Sequence, residues 1–263
     1  MLAERIDVGG VSLSQSELKA ARARIVERLT SAAFVSDPFH HCEIDAILTD
    51  EVYAKLVEVM RAEQFVPVGT VATTFGYEKR HVLQFDTHLR SSESRQPRFW
   101  AAFTRDLLFH PEVMTAFISR CAPYTVFGSG QRFAALPHRA TLHAIQDGGD
   151  YALPPHTDLC RKLGTMLIYL PDVSGGPGEG TVLYRPKDPA FTCRLGLTHH
   201  NPALFDACGT AAYEPNHAFV FARTDRSFHG VRKLPPGSRR HLLQLTVQRQ
   251  NVSDLYPEMA DRA

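Results

Sequence analysis

Apolar residues recur at helical spacing through the first half of the chain and in short strand-like runs through the second. Ser14-Gln15-Ser16-Glu17 has the form of a capping box, with Ser14 as N-cap and Glu17 reaching back to it. The helix it opens is predicted to run to about Leu29, with Leu18, Ala21, Ile25 and Leu29 on one face. The stretch from Pro38 to Met60 reads as a short strand, Cys42 to Ile44, and then a helix capped by Thr49 or Asp50. That helix would bury Val52, Leu56, Val57 and Met60. Residues 97–120 are predicted helical in two segments, because Pro111 breaks the run.

From about His138 the texture changes. The runs RATLHAIQ, GTMLIYL, GTVLYRP, HAFVFA and RRHLLQLTVQ are punctuated by Gly and Pro, which predicts many short strands in a sandwich or barrel. The expected layout is α+β and mainly β. Residues 1–137 give largely helical support and a substrate region, residues 138–250 give the β core, and 1–263 form one unit.

Composition narrows the function little. The 263 residues are 44% hydrophobic and 22% charged, as in an ordinary globular protein. Lys+Arg 29 against Asp+Glu 28 gives a formal charge of +1, so no strong global field draws nucleic acid or anionic membrane. No apolar run approaches the roughly eighteen residues of a membrane span, and the N-terminus has no apolar signal core. The five cysteines are scattered, without a CxxC pair, which suits a reducing cytoplasm better than a disulfide framework or zinc site.

The chemistry concentrates in the β half. His156-Thr157-Asp158 is followed far downstream by His229, in Ser227-Phe228-His229-Gly230-Val231. Alternate residues of a strand share a face, so His156 and Asp158 can reach one metal. A second imidazole from a distant strand completes three ligands on one face of an octahedron. The remaining positions stay open for a chelating cosubstrate and O2, the coordination used in iron(II) oxygen chemistry. A bare HxD is common by chance; the upstream strand, the later His and an Arg beyond it give it weight.

That Arg lies in Gly237-Ser238-Arg239-Arg240-His241-Leu242, at the start of the last long strand. A dicarboxylate cosubstrate needs a buried cation at its far end, and guanidinium binds carboxylate through two parallel hydrogen bonds. Arg239 shares a face with His241, Leu243, Leu245 and Val247; Arg240 shares one with Leu242, Gln244, Thr246 and Gln248. The apolar set is expected to face the barrel interior, which favours Arg239 and keeps Arg240 as the alternative.

The ordered set HTD, LIYLP, GEGTVLYRP, FHGV and GSRRHL resembles the 2-oxoglutarate/Fe(II)-dependent dioxygenases, and their prolyl-4-hydroxylase-like branch in particular. The resemblance covers roughly His138 to Gln248. It implies a double-stranded β-helix (jelly roll) packed against N-terminal helices, with Fe(II) on His156, Asp158 and His229. It also implies 2-oxoglutarate as cosubstrate, with Arg239 on the distal carboxylate by the GxRxxL pattern. Tyr169 falls where the family often has a hydroxyl on the same carboxylate, and Gln146 where it often has another polar contact, usually Tyr. Asp158 at the third position leaves no vacant site for a halide and fits hydroxylation. The implied reaction couples oxidative decarboxylation of 2-oxoglutarate by O2 to hydroxylation of an unactivated C–H bond.

Other residues have plainer readings. Lys162 at the mouth of the site, with Arg161 and Arg223, reads first as a solvated cation, and Lys162 alternatively as a contact for an anionic substrate. His40-His41 and His199-His200 are adjacent pairs that point oppositely in a strand and so make poor metal pairs. Cys160 and the aromatic stretch around Trp100 read as packing. Gly175 to Gly180 lacks the Lys-Ser/Thr of a phosphate loop and reads as a turn. The expected partner is a small-molecule, amino-acid or peptide-like substrate, with neither nucleic acid nor membrane, in a cytoplasmic protein. The rival reading is a cupin-type metal-binding barrel acting as a non-oxidative isomerase or lyase, or as a sensor.

Overall fold

The computed structural model describes residues 10–68, 79–86, 94–174, 179–196 and 198–256. Helix α1 (Gln15–Ser31) begins at Ser14, and both halves of the capping box form: Glu17 N donates to Ser14 Oγ, and Ser14 N donates to the Glu17 carboxylate. Its apolar stripe of Leu18, Ala21, Ile25 and Leu29 is buried as the spacing predicts. Strand β1 (His41–Ile44) leads to α2 (Asp50–Ala62), whose N-cap is Thr49. Strands β2 (Val66–Pro67) and β3 (Arg80–Asp86) follow. Next come α3 (Pro97–Ala101), a π-helical stretch over Ala102–Leu108, and α4 (Pro111–Cys121), with Pro111 in the first turn where its missing N–H costs nothing.

After the short α5 (Gly130–Ala134) the strands are β4 (His138–Gly148), β5 (Leu153–His156) and β6 (Lys162–Tyr169). The one-turn α6 (Pro171–Ser174) separates them from β7 (Val182–Pro186), β8 (Phe205–Thr210), β9 (Ala218–Ala222), β10 (His229–Val231) and β11 (Arg239–Arg249). They form two antiparallel sheets, of order β1-β9-β6-β11-β4-β3-β2 and β5-β10-β7-β8. From β4 onward successive strands alternate between the two sheets, except that β7 and β8 are neighbours in the smaller one, and this is jelly-roll connectivity. Strands β1, β2 and β3, from the part expected to be mainly helical, widen the larger sheet at both edges.

The two faces of the larger sheet differ in chemistry. Ala140, Leu142 and Ala144 of β4, Met166 and Ile168 of β6, and Leu243, Leu245 and Val247 of β11 join the helices in the main apolar core. The opposite face, with Thr141, His143 and Ile145, Thr165 and Leu167, and Arg240, Leu242, Gln244, Thr246 and Gln248, lines a cavity of about 440 Å³ between the sheets. The apolar face of β11 therefore packs outward against helices, and its more polar face turns inward. Of the glycine-rich turn, Gly175 to Gly178 lie outside the described residues. Among the described residues, no helix is long and apolar enough to cross a membrane.

Candidate metal centre

Three candidate ligands converge at one end of the smaller sheet. His156 closes β5 and pairs directly with His229 at the start of β10, so their rings lie 4.3 Å apart. Asp158 follows on the loop toward β6. One donor atom from each of His156, Asp158 and His229 lies within 4.8 Å of the others. Each imidazole has Nδ1 against a backbone carbonyl, Pro154 O at 3.0 Å for His156 and Ser227 O at 2.9 Å for His229. That contact fixes Nδ1 as the protonated nitrogen and leaves Nε2 with a lone pair toward the shared point.

The charge states suit a divalent cation. Burial holds His156 well below its ordinary pKa, and the neighbouring His229 lowers it further. Burial likewise lowers His229. Burial opposes ionisation of Asp158, but the Lys162 ammonium, His229 and hydrogen bonds from Lys162 and Thr165 outweigh it and hold the carboxyl well below the usual range. Two neutral imidazoles and one carboxylate are a hard, mixed N/O donor set with the composition of a facial triad. This chemistry fits iron(II).

The loop carrying Asp158 is braced from behind. Arg223, 2% exposed, donates from Nε to Asp158 O at 3.1 Å, and its other nitrogens hold Asp225 and the carbonyls of Cys193 and Arg194. Thr157 Oγ1 donates to Cys193 O at 3.0 Å. Gly196, at φ +69°, passes so close that a Cβ would lie 2.0 Å from Asp158 O, which explains glycine there. Arg223 is thus a structural brace rather than a solvated cation. Cys160 is buried with Val252 and Tyr256 and packs as expected.

The strand faces expected for Arg239 and Gln146 are reversed. Arg239 is exposed, and Arg240, 1% exposed, points into the cavity. The interior of this jelly roll is a partly polar cavity rather than a closed apolar core, so the polar face of β11 turns in. Gln146 is out of phase for the same reason: Ile145 faces the cavity, while Gln146 turns away and meets His241 Nε2 at 3.0 Å. Tyr169 lies on the inner face but one layer back. Its hydroxyl donates to Thr181 Oγ1 at 2.8 Å and accepts from Thr181 N at 3.1 Å, and Arg240 lies over its ring at 5.5 Å. Thr181, and not Tyr169, reaches the cavity wall.

Arg240 belongs to a buried charge cluster that the sequence did not signal. Asp147, fully buried, takes Nη1 of Arg240 at 2.8 Å and a two-point contact from Arg80, Nε at 2.6 Å and Nη2 at 3.0 Å. Arg240 Nε also donates to Glu179 O at 2.6 Å. Asp147 thus holds two guanidinium groups, those of Arg240 and Arg80, at this end of the cavity. Lys162 is likewise not a solvated loop residue. It opens β6, lines the cavity and donates to Asp158 Oδ1 at 2.6 Å. His199 lines the cavity too, its ring 5.0 Å from that of His156. His40 stacks on Tyr124 and His41 bonds Phe39 O, so neither approaches the site.

No family model matches the chain, and no curated protein matches it. Solved structures similar to it include a prolyl 4-hydroxylase from Phytophthora capsici, at 17% identity over 92% of this chain and 69% of that one, with a TM-score of 0.49. The non-heme alpha-ketoglutarate-dependent epimerase SnoN from nogalamycin biosynthesis has a TM-score of 0.48 at 13% identity, covering 88% of this chain and 84% of its own. HygX from Streptomyces hygroscopicus, solved with nickel and 2-oxoglutarate bound, has a TM-score of 0.46 at 11% identity, covering 91% and 88%.

Proposed function

We propose that the protein is an iron(II)- and 2-oxoglutarate-dependent oxygenase that hydroxylates a C–H bond of a small-molecule, amino-acid or peptide-like substrate. The observation that carries this is the pairing, in one cavity, of a His156–Asp158–His229 donor set with a buried guanidinium, that of Arg240, held in place by Asp147. Iron(II) held by those three side chains would supply O2 activation coupled to decarboxylation of 2-oxoglutarate to succinate and CO2. His156 and His229 would hold it through Nε2 and Asp158 through a carboxylate oxygen.

The distal carboxylate of 2-oxoglutarate goes to Arg240 and the Thr181 hydroxyl. Leu183 pairs with His229 across β7 and β10, and Thr181 lies two residues before it, roughly 7 Å along the chain. That step is the right order for a five-carbon diacid bridging metal and anchor. Asp147 and Arg80 keep the Arg240 fork oriented before any ligand arrives, so less freedom is lost on binding. Val82, Ile145, Leu167 and Leu242 give an apolar wall that excludes water from the centre.

The test is aerobic incubation with Fe(II) and 2-oxoglutarate. Succinate should form slowly without substrate, and His229→Ala should abolish it. No consumption of 2-oxoglutarate by the iron-loaded protein would contradict the proposal. Metal-dependent isomerisation or elimination without 2-oxoglutarate would favour the cupin-type alternative.

A further inference from the structure

Resting on the reading above, we propose that Arg139, Gln248 and Lys162 form an oxyanion subsite. The substrate is then a small molecule bearing a carboxylate or phosphate ester that seats on them. Strand register supplies the geometry. Gln248 of β11 pairs with Arg139 of β4 on one side and with Lys162 of β6 on the other, so the three make one row across adjacent strands. All three line the cavity. The next row is Thr141, Thr246 and Thr165, and Thr165 Oγ1 donates to Asp158 Oδ2 at 2.7 Å. Lys162 itself donates to Asp158 Oδ1, so the β6 end of the row adjoins the metal centre, while Arg139 stands one step, roughly 7 Å, beyond Thr141 along β4. Arg240 stands at the opposite end of the same face of β11, so an anion on Arg139 does not compete with 2-oxoglutarate.

Arg139 has donor capacity to spare. With the Gln248 amide turned so that its oxygen faces the guanidinium, that oxygen accepts from Nε at 2.7 Å and Nη2 at 2.9 Å. Among the described residues no carboxylate pairs with Arg139, so its outer N–H groups remain for a ligand. Gln248 thus holds the fork in place, as Asp147 does for Arg240, but contributes no negative charge. Lys162 adds a second cation, tied to Asp158. His143, on the same face of β4, is pushed down to about 4 by burial first and then by the charges of Lys162 and Arg80. A cavity of about 440 Å³ must also hold the cosubstrate, which limits the substrate to a small molecule.

Anaerobic protein loaded with Fe(II) and 2-oxoglutarate provides the test, titrated by calorimetry with phenylacetate, phenyl phosphate and the neutral phenylacetamide. At least one acid should bind about tenfold or more tightly than the amide, and the better acid identifies the anion. Arg139→Gln should weaken that acid by about tenfold or more, the scale of a lost charge-assisted contact, and Arg139→Lys should restore part of it. Affinity for 2-oxoglutarate should be unchanged in both variants. Equal binding of acids and amide, no binding of any of the three, or acid binding indifferent to Arg139→Gln would overturn the subsite. Failure of the oxygenase reading shows separately, as failure of 2-oxoglutarate to bind before any acid is added. Acid binding is then read on the iron-loaded protein alone.

Discussion

Arg240 and Arg239 are neighbours in sequence with opposite fates, and that contrast gives the sharpest residue-level prediction. Removing Arg240 strips the cavity of its buried guanidinium and leaves Asp147 with Arg80 alone. Arg240→Ala should weaken 2-oxoglutarate binding by about 2–5 kcal/mol, as for other truncated desolvated charge pairs. Arg239→Ala, at an exposed position, should stay within about 0.5 kcal/mol by the same titration. The reverse order would place the anchor on the other strand face. For the donor set, His156→Ala, Asp158→Ala and His229→Ala should each lose stoichiometric iron, measured by metal analysis after dialysis. Their folded secondary structure should remain. The donor set was legible in the sequence because HxD and the later His carry their own chemistry. The GSRRHL segment was legible as a source of a guanidinium, but the cavity-facing one is Arg240 and not Arg239, because strand alternation says which residues share a face and not which face is inside. Asp147, Arg80 and Thr181 gave no signal, since their roles exist only through contacts across strands.

At the scale of elements, β6 shows how the sheet is held at the site. Gly164 sits between β9 and helix α4, and a Cβ there would lie 2.7 Å from Phe221 O and 2.8 Å from Cys121 Sγ. Both neighbours are buried and cannot retreat without moving their elements. Gly164→Ala should therefore cost about 1–3 kcal/mol of stability in denaturant unfolding, the range for overpacked cores. Because Thr165 is the next residue and holds Asp158, iron affinity should fall with it. An unchanged midpoint would mean that α4 and β6 are less tightly apposed than described. The helices and the long strands were readable because their apolar residues follow clear periods. Strand β8 was not, as five of its six residues are exposed and it presents no apolar face. The π-helical stretch over Ala102–Leu108 was also invisible, since burial of Phe103 and Leu107 fits an α-helix as well.

Across the whole molecule, the N-terminal region and the jelly roll are joined by more than apolar packing. His217, just before β9, bonds Glu43 of β1 through Nε2 at 2.8 Å and Asp45 through Nδ1 at 2.7 Å. Burial pulls its pKa down, but the two carboxylates outweigh that and raise it, while the His217 contact lowers Glu43. The stabilisation from His217 is full below its unfolded pKa near 6.5 and is lost as pH rises through the raised folded value. That from Glu43 is full above its unfolded pKa and is lost as pH falls through the lowered folded value. Thermal stability should thus decline above neutral pH in the native protein and decline less in His217→Gln, by melting curves across pH 6–9; parallel curves would remove the clamp from the account. An anaerobic crystal structure with Fe(II) and 2-oxoglutarate tests most directly whether one cavity holds both the proposed iron(II) site and the proposed 2-oxoglutarate anchor. Iron should be bound by His156, Asp158 and His229 and chelated by the keto acid, with the distal carboxylate on Arg240 and Thr181. Iron elsewhere, or 2-oxoglutarate bound away from Arg240, would contradict the proposal.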